Sequence, residues 1–405
     1  MLLFLLLFLL HFICLIYRGK GIGGRKLKRV IVLGASGSIG RQTLEVIRKS
    51  ADSENKLELV GFSIHSNSIV AAKLKREFPQ AKGAWTSNTS IAPKEMDWNG
   101  IDAIAHLLSE TEAEIVVNGI AGASGLSASI LALQSGKNLA LANKESIVMG
   151  YRLLKSIAQE NRCQIIPVDS EHAGIFQIVQ RFGKSIVSEL IITASGGPFY
   201  SLPLELLDTV TADEACKHPI WQMGRKISID SATMANKGLE LIEASRFFDM
   251  PQEQIKVLIH PQSYVHAMVR TIEGAIYAQI SKPDMHLPIQ MALYWPDSMQ
   301  ASFGFADLAG MSLDFYEPTR ERYPMLWIAR QAIDEGEAQC IVFNAANEIA
   351  VECFDNGKIR FTDIANLVAK VLERDWNLPI ESFEDIFDID IKARKIAAHL
   401  SENIG

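Results

Sequence analysis

A cysteine framework is missing from these 405 residues: Cys14, Cys163, Cys216, Cys340 and Cys353 are scattered and form no CxxC pair. That excludes a disulfide scaffold and a zinc knuckle, and a reducing compartment fits best. Cys216 lies two residues from His218, but an isolated thiol there is read as incidental and given no chemistry. An excess of positive charge is missing too. With 40 Lys and Arg against 47 Asp and Glu, the net charge of −7 offers no global pull toward nucleic acid. Internal repeats are absent, and so are low-complexity tracts beyond the N-terminus. Hydrophobic residues at 48% and charged ones at 21% rule out a disordered chain, and the length calls for two or three domains.

The one long apolar run is residues 1–17, MLLFLLLFLLHFICLIY, followed by basic residues at 18, 20, 25, 26, 28 and 29. A secretory signal has the reverse order of charge and apolar run, so secretion is disfavoured. As a signal anchor the run is short, and its basic flank would keep the body of the protein on the cytoplasmic side. The third reading is a true start further downstream, for example at Leu27, because LKRVIVLGASGS already begins a complete nucleotide-binding strand. The expectation is therefore a leader at 1–26 arising from a mis-assigned start, a cytoplasmic protein, and no membrane partner apart from that segment.

From Lys28 to about Val168 strand, glycine turn and helix alternate, as a doubly wound parallel sheet requires. KRVIVLG, LELVGFSI, EIVVNGI, NLALAN and CQIIPVD are the short apolar runs of strands buried on both faces, and helices are expected at 41–49 and 127–134. Between Ser170 and Tyr294 three segments read as long polar loops, ITASGGPFYS, HPIWQMGRK and DSATMANKG, set between apolar strands such as KVLIH and AIYAQI. Residues 295–320 read as an irregular connector, and the remainder has helical period. The fold class expected is α/β, with a Rossmann-like doubly wound parallel sheet at 27–168, a region bearing the functional loops at 169–294, a linker at 295–320 and helices at 321–405.

VIVLGASGSIGRQTLEVI puts Gly34, Gly37 and Gly40 at a strand-to-helix turn, where backbone amides can approach a pyrophosphate. The spacing is GxxGxxG rather than GxGxxG. The next strand ends at His65, Ser66 and Asn67 with no acidic residue to hold ribose hydroxyls, and Lys73, Lys75 and Arg76 follow, so NADPH is preferred to NADH, although each lysine alone also reads as a solvated helix face. In PVDSEH, Asp169 and Glu171 close a strand two residues apart, and in extended backbone both would face one side. Such a pair can hold Mg²⁺ or Mn²⁺, or be a solvated turn. Asn236, Lys237 and Glu240 share a helix face by spacing. Ser195 and Ser231 add hydroxyls beside glycine-permissive backbone, as phosphate recognition demands, or are turn serines. LANKES places Asn143, Lys144, Glu145 and Ser146 at the sheet edge, where a nicotinamide would meet substrate or a buried ion pair would form. HPIWQMGRK carries Trp221 and Met223 in a polar setting, suited to a lid, while Trp221 equally suits a core anchor.

GASGSIG, LANKES, PVDSEH, ASGGPF, HPIWQMGRKISIDSATMANKGLE, LIHPQS and NAANE occur in an order and spacing that resembles the 1-deoxy-D-xylulose 5-phosphate reductoisomerases, from about Lys28 to the C-terminus. The resemblance implies a homodimer whose subunits have an NADPH domain, a connective catalytic domain and a C-terminal helical domain. It implies NADPH contacts from Ser36, Gly37, Ser38, Ile39, Asn143, Glu145 and Gly224, with His65, Ser66 and Asn67 near the adenosine phosphate. It further implies Asp169, Glu171 and Glu240 as ligands of Mn²⁺, Mg²⁺ or Co²⁺. Around the sugar phosphate it implies Lys144, Ser170, Glu171, Ser195, His218, Ser231, Asn236, Lys237 and Glu240, with Lys144, Glu171 and His218 as candidates for moving protons. The reaction implied is a skeletal rearrangement by retro-aldol cleavage and re-addition, then hydride delivery to the aldehyde, giving 2-C-methyl-D-erythritol 4-phosphate in isoprenoid biosynthesis. His65, where relatives carry a small residue, and the apolar N-terminus depart from the family pattern. Two other readings compete: a metal-assisted NADPH dehydrogenase of another small phosphorylated substrate, and a membrane-tethered, non-catalytic NADPH sensor. The first would not need Ser195, Ser231, Asn236 and Lys237 together, and the second would tolerate loss of the three carboxylates.

Overall fold

The computed structural model describes residues 27–404 except Gln222; the expected leader at 1–26 lies outside the described residues. Parallel strands alternate with helices through the first half of the chain: β1 (Lys28–Leu33), α1 (Ser38–Lys49), β2 (Leu57–Ile64), α2 (Ser68–Glu77), β3 (Lys82–Trp85), β4 (Trp98–Asn99), α3 (Ala103–Glu110), β5 (Ile115–Asn118), α4 (Gly125–Gln134), β6 (Asn138–Leu141), α5 (Lys144–Glu160) and β7 (Ile165–Pro167). Its seven strands form one sheet in the order β4-β3-β2-β1-β5-β6-β7, every pair parallel. All five expected strands are present. β3 and β4 were not expected, because four- and two-residue strands leave no apolar run long enough to mark.

Side chains alternate across this sheet with the two-residue period of a strand. Ile31, Leu33 and Val116 join a core that includes Ile341, Phe343 and Ile386 of the C-terminal helices. Val30, Val32 and Val117 face the other way, onto Leu44 and Ile47 of α1 and onto Leu293. Strand order reverses between β1 and β5, and ligands of such sheets bind in the crevice beyond the strand C-termini at that point.

The chain continues through α6 (Ser170–Phe182), β8 (Val187–Ala194), α7 (Ala212–Ala215), α8 (Arg225–Thr233), α9 (Ala235–Phe248), β9 (Ile255–Ile259), β10 (Val265–Thr271), β11 (Ile276–Ile280) and α10 (His286–Tyr294). The second sheet has the order β11-β10-β8-β9, with β8 and β9 parallel and β10 antiparallel to its neighbours. The crossover from β8 to β9 contains the HPIWQMGRK segment, α8 and α9. Four helices close the chain: α11 (Pro324–Glu335), α12 (Glu337–Asp355), α13 (Asp363–Leu372) and α14 (Phe383–Ser401). No helix among the described residues is long and apolar enough to cross a membrane.

Two local expectations fail. DSATMANKG is not a loop but two helices, α8 and α9, joined at Met234, which is left-handed at φ 63°. Its polar side chains imitate loop composition because they serve a buried site rather than solvent. PVDSEH is not extended through its acids: Asp169 is the N-cap of α6 and Glu171 lies in the first helical turn.

Gly40, third of the glycines after β1, shows how tightly α1 approaches the strand: a Cβ there would stand 2.4 Å from the Gly34 carbonyl oxygen and 2.5 Å from Ala35 Cα. Both are backbone atoms and cannot swing away. Gly40→Ala should therefore cost about 2–3 kcal/mol, read as a lower denaturant midpoint. An unchanged midpoint would show that α1 can move off the strand.

Candidate active site

The glycine turn fits a dinucleotide. Gly37 caps α1 without any side-chain hydrogen bond, and the first turn has no acidic residue, so the amides at the helix N-terminus are left for an anion. Gly34 sits at φ 76° against the Gly119 carbonyl, holding the C-terminal ends of β1 and β5 close together. Ser38 and Ile39 lie half-buried in that first turn, and Ser36 just before it. At the end of β2, His65, Ser66 and Asn67 are exposed, with no acid among them. Asn67 is partly committed, since its Oδ1 accepts from the Val70 amide as the N-cap of α2. Of the basic residues expected nearby, Lys75 is placed elsewhere. It lies in the last turn of α2 and donates to Asp97 at 2.9 Å and to the Ala81 carbonyl, because seven residues of helix rise about 10 Å from the helix start.

LANKES does not lie at the sheet edge, because β7 is outside β6. Asn143 caps α5, its Oδ1 accepting from the Ser146 amide at 2.9 Å, and this sets Lys144 and Glu145 in the first turn. Glu145 is buried and accepts from Asn143 at 2.7 Å.

The acidic centre is assembled from two helices. Oxygens of Asp169, Glu171 and Glu240 lie within 4.8 Å of one another. Asp169 and Glu171 come from the N-terminus of α6, Glu240 from α9. Lysines are threaded between them. Lys144 Nζ stands 3.2 Å from Asp169 and 3.9 Å from Glu240; Lys237 Nζ is 2.6 Å from Glu171 and also contacts Glu240. Ser170 donates to Glu171, and Asn236 donates to Glu240 at 2.5 Å. Burial disfavours the Lys144 ammonium, yet Asp169 and Glu240 outweigh it and raise its pKa; for Lys237, Glu171 and Glu240 do the same. Burial with Glu171 alongside pushes Glu240 up to about 8. Burial works against Asp169 as well, but Lys144 and His172 hold it well below the ordinary carboxylate range.

Two buried carboxylates and a half-buried one converging this closely, with two buried lysines between them, form a hard oxygen donor set of the kind divalent Mg²⁺ or Mn²⁺ takes. The buried Asn236 Oδ1 has no hydrogen-bond partner among the described residues, leaving an acceptor for a bound hydroxyl.

Ser195 and His218 meet at 2.8 Å. His218 Nδ1 accepts from the amides of Ile220 and Trp221, so Nε2 must carry the ring proton and donate it to Ser195 Oγ. The Gly197 amide donates to the same oxygen at 3.2 Å. With both acceptor positions filled, the serine's own proton is free to donate to an anion. Gly196 and Gly197, at φ 88° and 71°, let this loop lie on α8, where a Cβ on Gly197 would stand 2.8 Å from the Ser231 carbonyl. Trp221 is half-buried with its ring edge-on to His266 at 6.1 Å. Gly224 caps α8.

Two histidines escaped sequence reasoning. His172, inside PVDSEH, is fully buried and donates to Asp169 from Nδ1 and to the Glu240 carbonyl from Nε2, each at 2.9 Å. Burial opposes its charge, but Glu243 and Asp169 raise it to about 9. His266 on β10 is buried beneath Trp221. Nothing in the alternation of that strand marks it.

Family models match most of the chain. That of 1-deoxy-D-xylulose 5-phosphate reductoisomerase matches residues 30–150, and two C-terminal domain models of the same enzyme match 165–248 and 280–396. The chain belongs to this reductoisomerase family. The Treponema denticola 1-deoxy-D-xylulose 5-phosphate reductoisomerase is 46% identical over 372 residues, which cover 91% of this chain and 96% of the relative. Among solved reductoisomerases, that of Zymomonas mobilis in complex with NADPH is similar with a TM-score of 0.84 at 39% identity, covering 93% of this chain and all of that one. A second, in complex with NADPH, fosmidomycin and magnesium, gives 0.84 at 35% identity, over 93% and 98%.

The acceptor role of Nδ1 and the buried position of His218, whose desolvation pushes the ring down to about 4, predict a neutral imidazole with its proton on Nε2. Nitrogen NMR should show that tautomer at pH 7 and a midpoint near 4, the unfolded value being about 6.5. Because the folded state then binds fewer protons between those values, this group's contribution to stability is complete above the unfolded value and lost as pH falls toward 4. A midpoint near the unfolded value would mean a solvated ring and a different partner for Ser195.

Proposed function

We propose that the chain converts 1-deoxy-D-xylulose 5-phosphate to 2-C-methyl-D-erythritol 4-phosphate with NADPH and a divalent metal, in the non-mevalonate route to isoprenoids. The observation that carries this reading is the convergence of Asp169, Glu171 and Glu240 with Lys144 and Lys237 beside a hydroxyl-lined anion site. A metal-assisted dehydrogenase of an unrelated substrate needs the carboxylates but not that second cluster.

Bound Mn²⁺, Mg²⁺ or Co²⁺ on Asp169, Glu171 and Glu240 supplies Lewis acidity toward the sugar's keto and hydroxyl oxygens, and NADPH supplies the hydride. The chain's own groups do the remainder. Ser195, with its hydroxyl proton aimed by His218 and Gly197, donates to the phosphate together with Ser231 and Asn236. Ser170 and Lys237 hold Glu171 in place. Lys144, kept cationic between Asp169 and Glu240, balances the negative charge that develops on substrate oxygens. Trp221, against His266, covers the pocket and excludes water. Lys144, Glu171 and His218 are assigned to the catalytic steps, His218 as a hydrogen-bond donor. Ser36, Gly37, Ser38 and Ile39 take the pyrophosphate side of the cofactor, Asn143, Glu145 and Gly224 the nicotinamide side, and His65, Ser66 and Asn67 the adenosine phosphate. A cytoplasmic setting is part of the proposal, supported by the four described cysteines being unpaired.

Loss of NADPH absorbance by the purified protein should require both the sugar phosphate and the metal. Glu240→Gln should lower kcat by about a hundredfold or more while NADPH affinity stays unchanged. Wild-type turnover in that variant would refute the metal assignment.

The active unit proposed is a homodimer. β11 is an edge of the second sheet, with Ile276, Tyr277 and Ile280 exposed and Phe182 packed on Tyr277 at 4.4 Å. A bare apolar edge strand is a pairing site that a solitary protein would blunt with charge. Tyr277→Lys should shift the sedimenting species from two chains to one. A wild-type protein that sediments as one chain would overturn the dimer.

A further inference from the structure

The NAANE segment, residues 344–348, takes no part in the chemistry above. It lies in α12, where Asn344, Asn347 and Glu348 occupy one face by their spacing of three and four. The helix is otherwise packed with apolar residues such as Ile341, Val342, Phe343 and Ala346, and both asparagines are fully buried. Buried polar groups in an apolar core add little stability for their cost, and their use is to fix one arrangement of the parts they join.

What this face joins is specific. Glu348 Oε1 accepts from the backbone amide of Ala123 at 3.2 Å, and Oε2 accepts from Arg394 at 2.8 Å. Arg394 is itself held by Asp390, one turn earlier on α14, at 2.7 and 3.0 Å. Asn347 donates to Asp230 of α8 at 2.8 Å, and Lys226 donates to the other oxygen of Asp230 at 2.8 Å. Lys226 also reaches Glu145 at 3.4 Å; Glu145 accepts from Asn143; and Asn143 donates to the Gly122 carbonyl at 2.9 Å. Gly122 and Ala123 are neighbours, so the bonds form a ring that leaves α12 by Asn347 and returns by Glu348. Gly122, at φ 75°, would place a Cβ 3.4 Å from Glu348 Oε1. The ring passes through the loop after β5, the first turn of α5 and the first turn of α8, where the HPIWQMGRK segment ends.

We propose that Asn347 and Glu348, backed by Arg394, are positioning residues of the reaction: they fix the loop at residues 119–124 relative to the base of the lid, so that nicotinamide and substrate meet in one geometry. This rests on the NADPH reading above. None of the three need touch substrate or cofactor; each acts through Ala123, Asp230 or Glu348.

The test compares the full chain with Glu348→Ala and Glu348→Gln, the latter keeping an acceptor for the Ala123 amide. Melting temperature, NADPH affinity by fluorescence, amide hydrogen exchange over residues 119–125 and the steady-state constants are read for each. Glu348→Ala should speed exchange in that peptide and weaken NADPH binding, each about tenfold, with KM for NADPH rising more than kcat falls, and Glu348→Gln should recover most of both. Folded Glu348→Ala with wild-type exchange and wild-type NADPH affinity would overturn the proposal, whatever its melting temperature, and so would a Gln variant no better than Ala. A wild-type chain that binds no NADPH would overturn the function proposed above instead, and the exchange data would still decide whether Glu348 anchors the loop.

Discussion

Three carboxylates cannot share a buried pocket unless cations are interleaved with them, and that electrostatic condition organises the protein. Glu240 and Lys237 come from α9, Asp169 and Glu171 from α6, Lys144 from α5, and each helix must arrive with its relevant turn at the same point. The lysines meet the condition only in part, since Glu240 is still pushed up to about 8. Burial first and the neighbouring Glu171 second raise it, and a divalent cation held among these oxygens would oppose both.

Around that centre the two sheets divide the work. The first brings the glycine turn and the Lys144 helix to its switch point, where ligands of such sheets bind; the second, through the β8 to β9 crossover, contributes Ser195, Ser231, the HPIWQMGRK segment and α9. The C-terminal helices complete the core beneath the first sheet and send one polar face back up to the crevice. His172 ties α6 to α9 from below, one nitrogen on the Asp169 side chain and the other on the Glu240 main chain.

Much of this is legible in the sequence. Strands buried on both faces declare themselves as apolar runs, so β1, β2, β5, β6 and β7 were legible, and GxxGxxG marked the turn because only glycine tolerates the approach seen at Gly34 and Gly40. The spacing of Asn236, Lys237 and Glu240 gave their common face, which Glu240 shows by contacting both others. Where the reading failed, composition misled. DSATMANKG is polar because it faces charged groups in a buried pocket, and polarity was taken for a loop. Asp169 looked like the end of a strand, but a carboxylate before a helix also caps it. His266 and the ring through Asn347 depend on contacts between residues far apart in the chain, which no local pattern records.

Met234 imposes a constraint of chain length rather than of chemistry. It is a left-handed residue with a buried side chain between two helices whose polar faces grip different partners: α8 holds Glu145 and Asn347 through Lys226 and Asp230, while α9 holds Glu171 through Lys237. Each residue of a helix turns it by about 100°. One residue gained or lost between Asp230 and Lys237 would leave either helix folded and satisfied on its own, yet aim one of the two faces at the wrong wall. The count of residues across this joint is therefore constrained as tightly as the side chains that flank it, and drift in this family should be closed to insertion and deletion there.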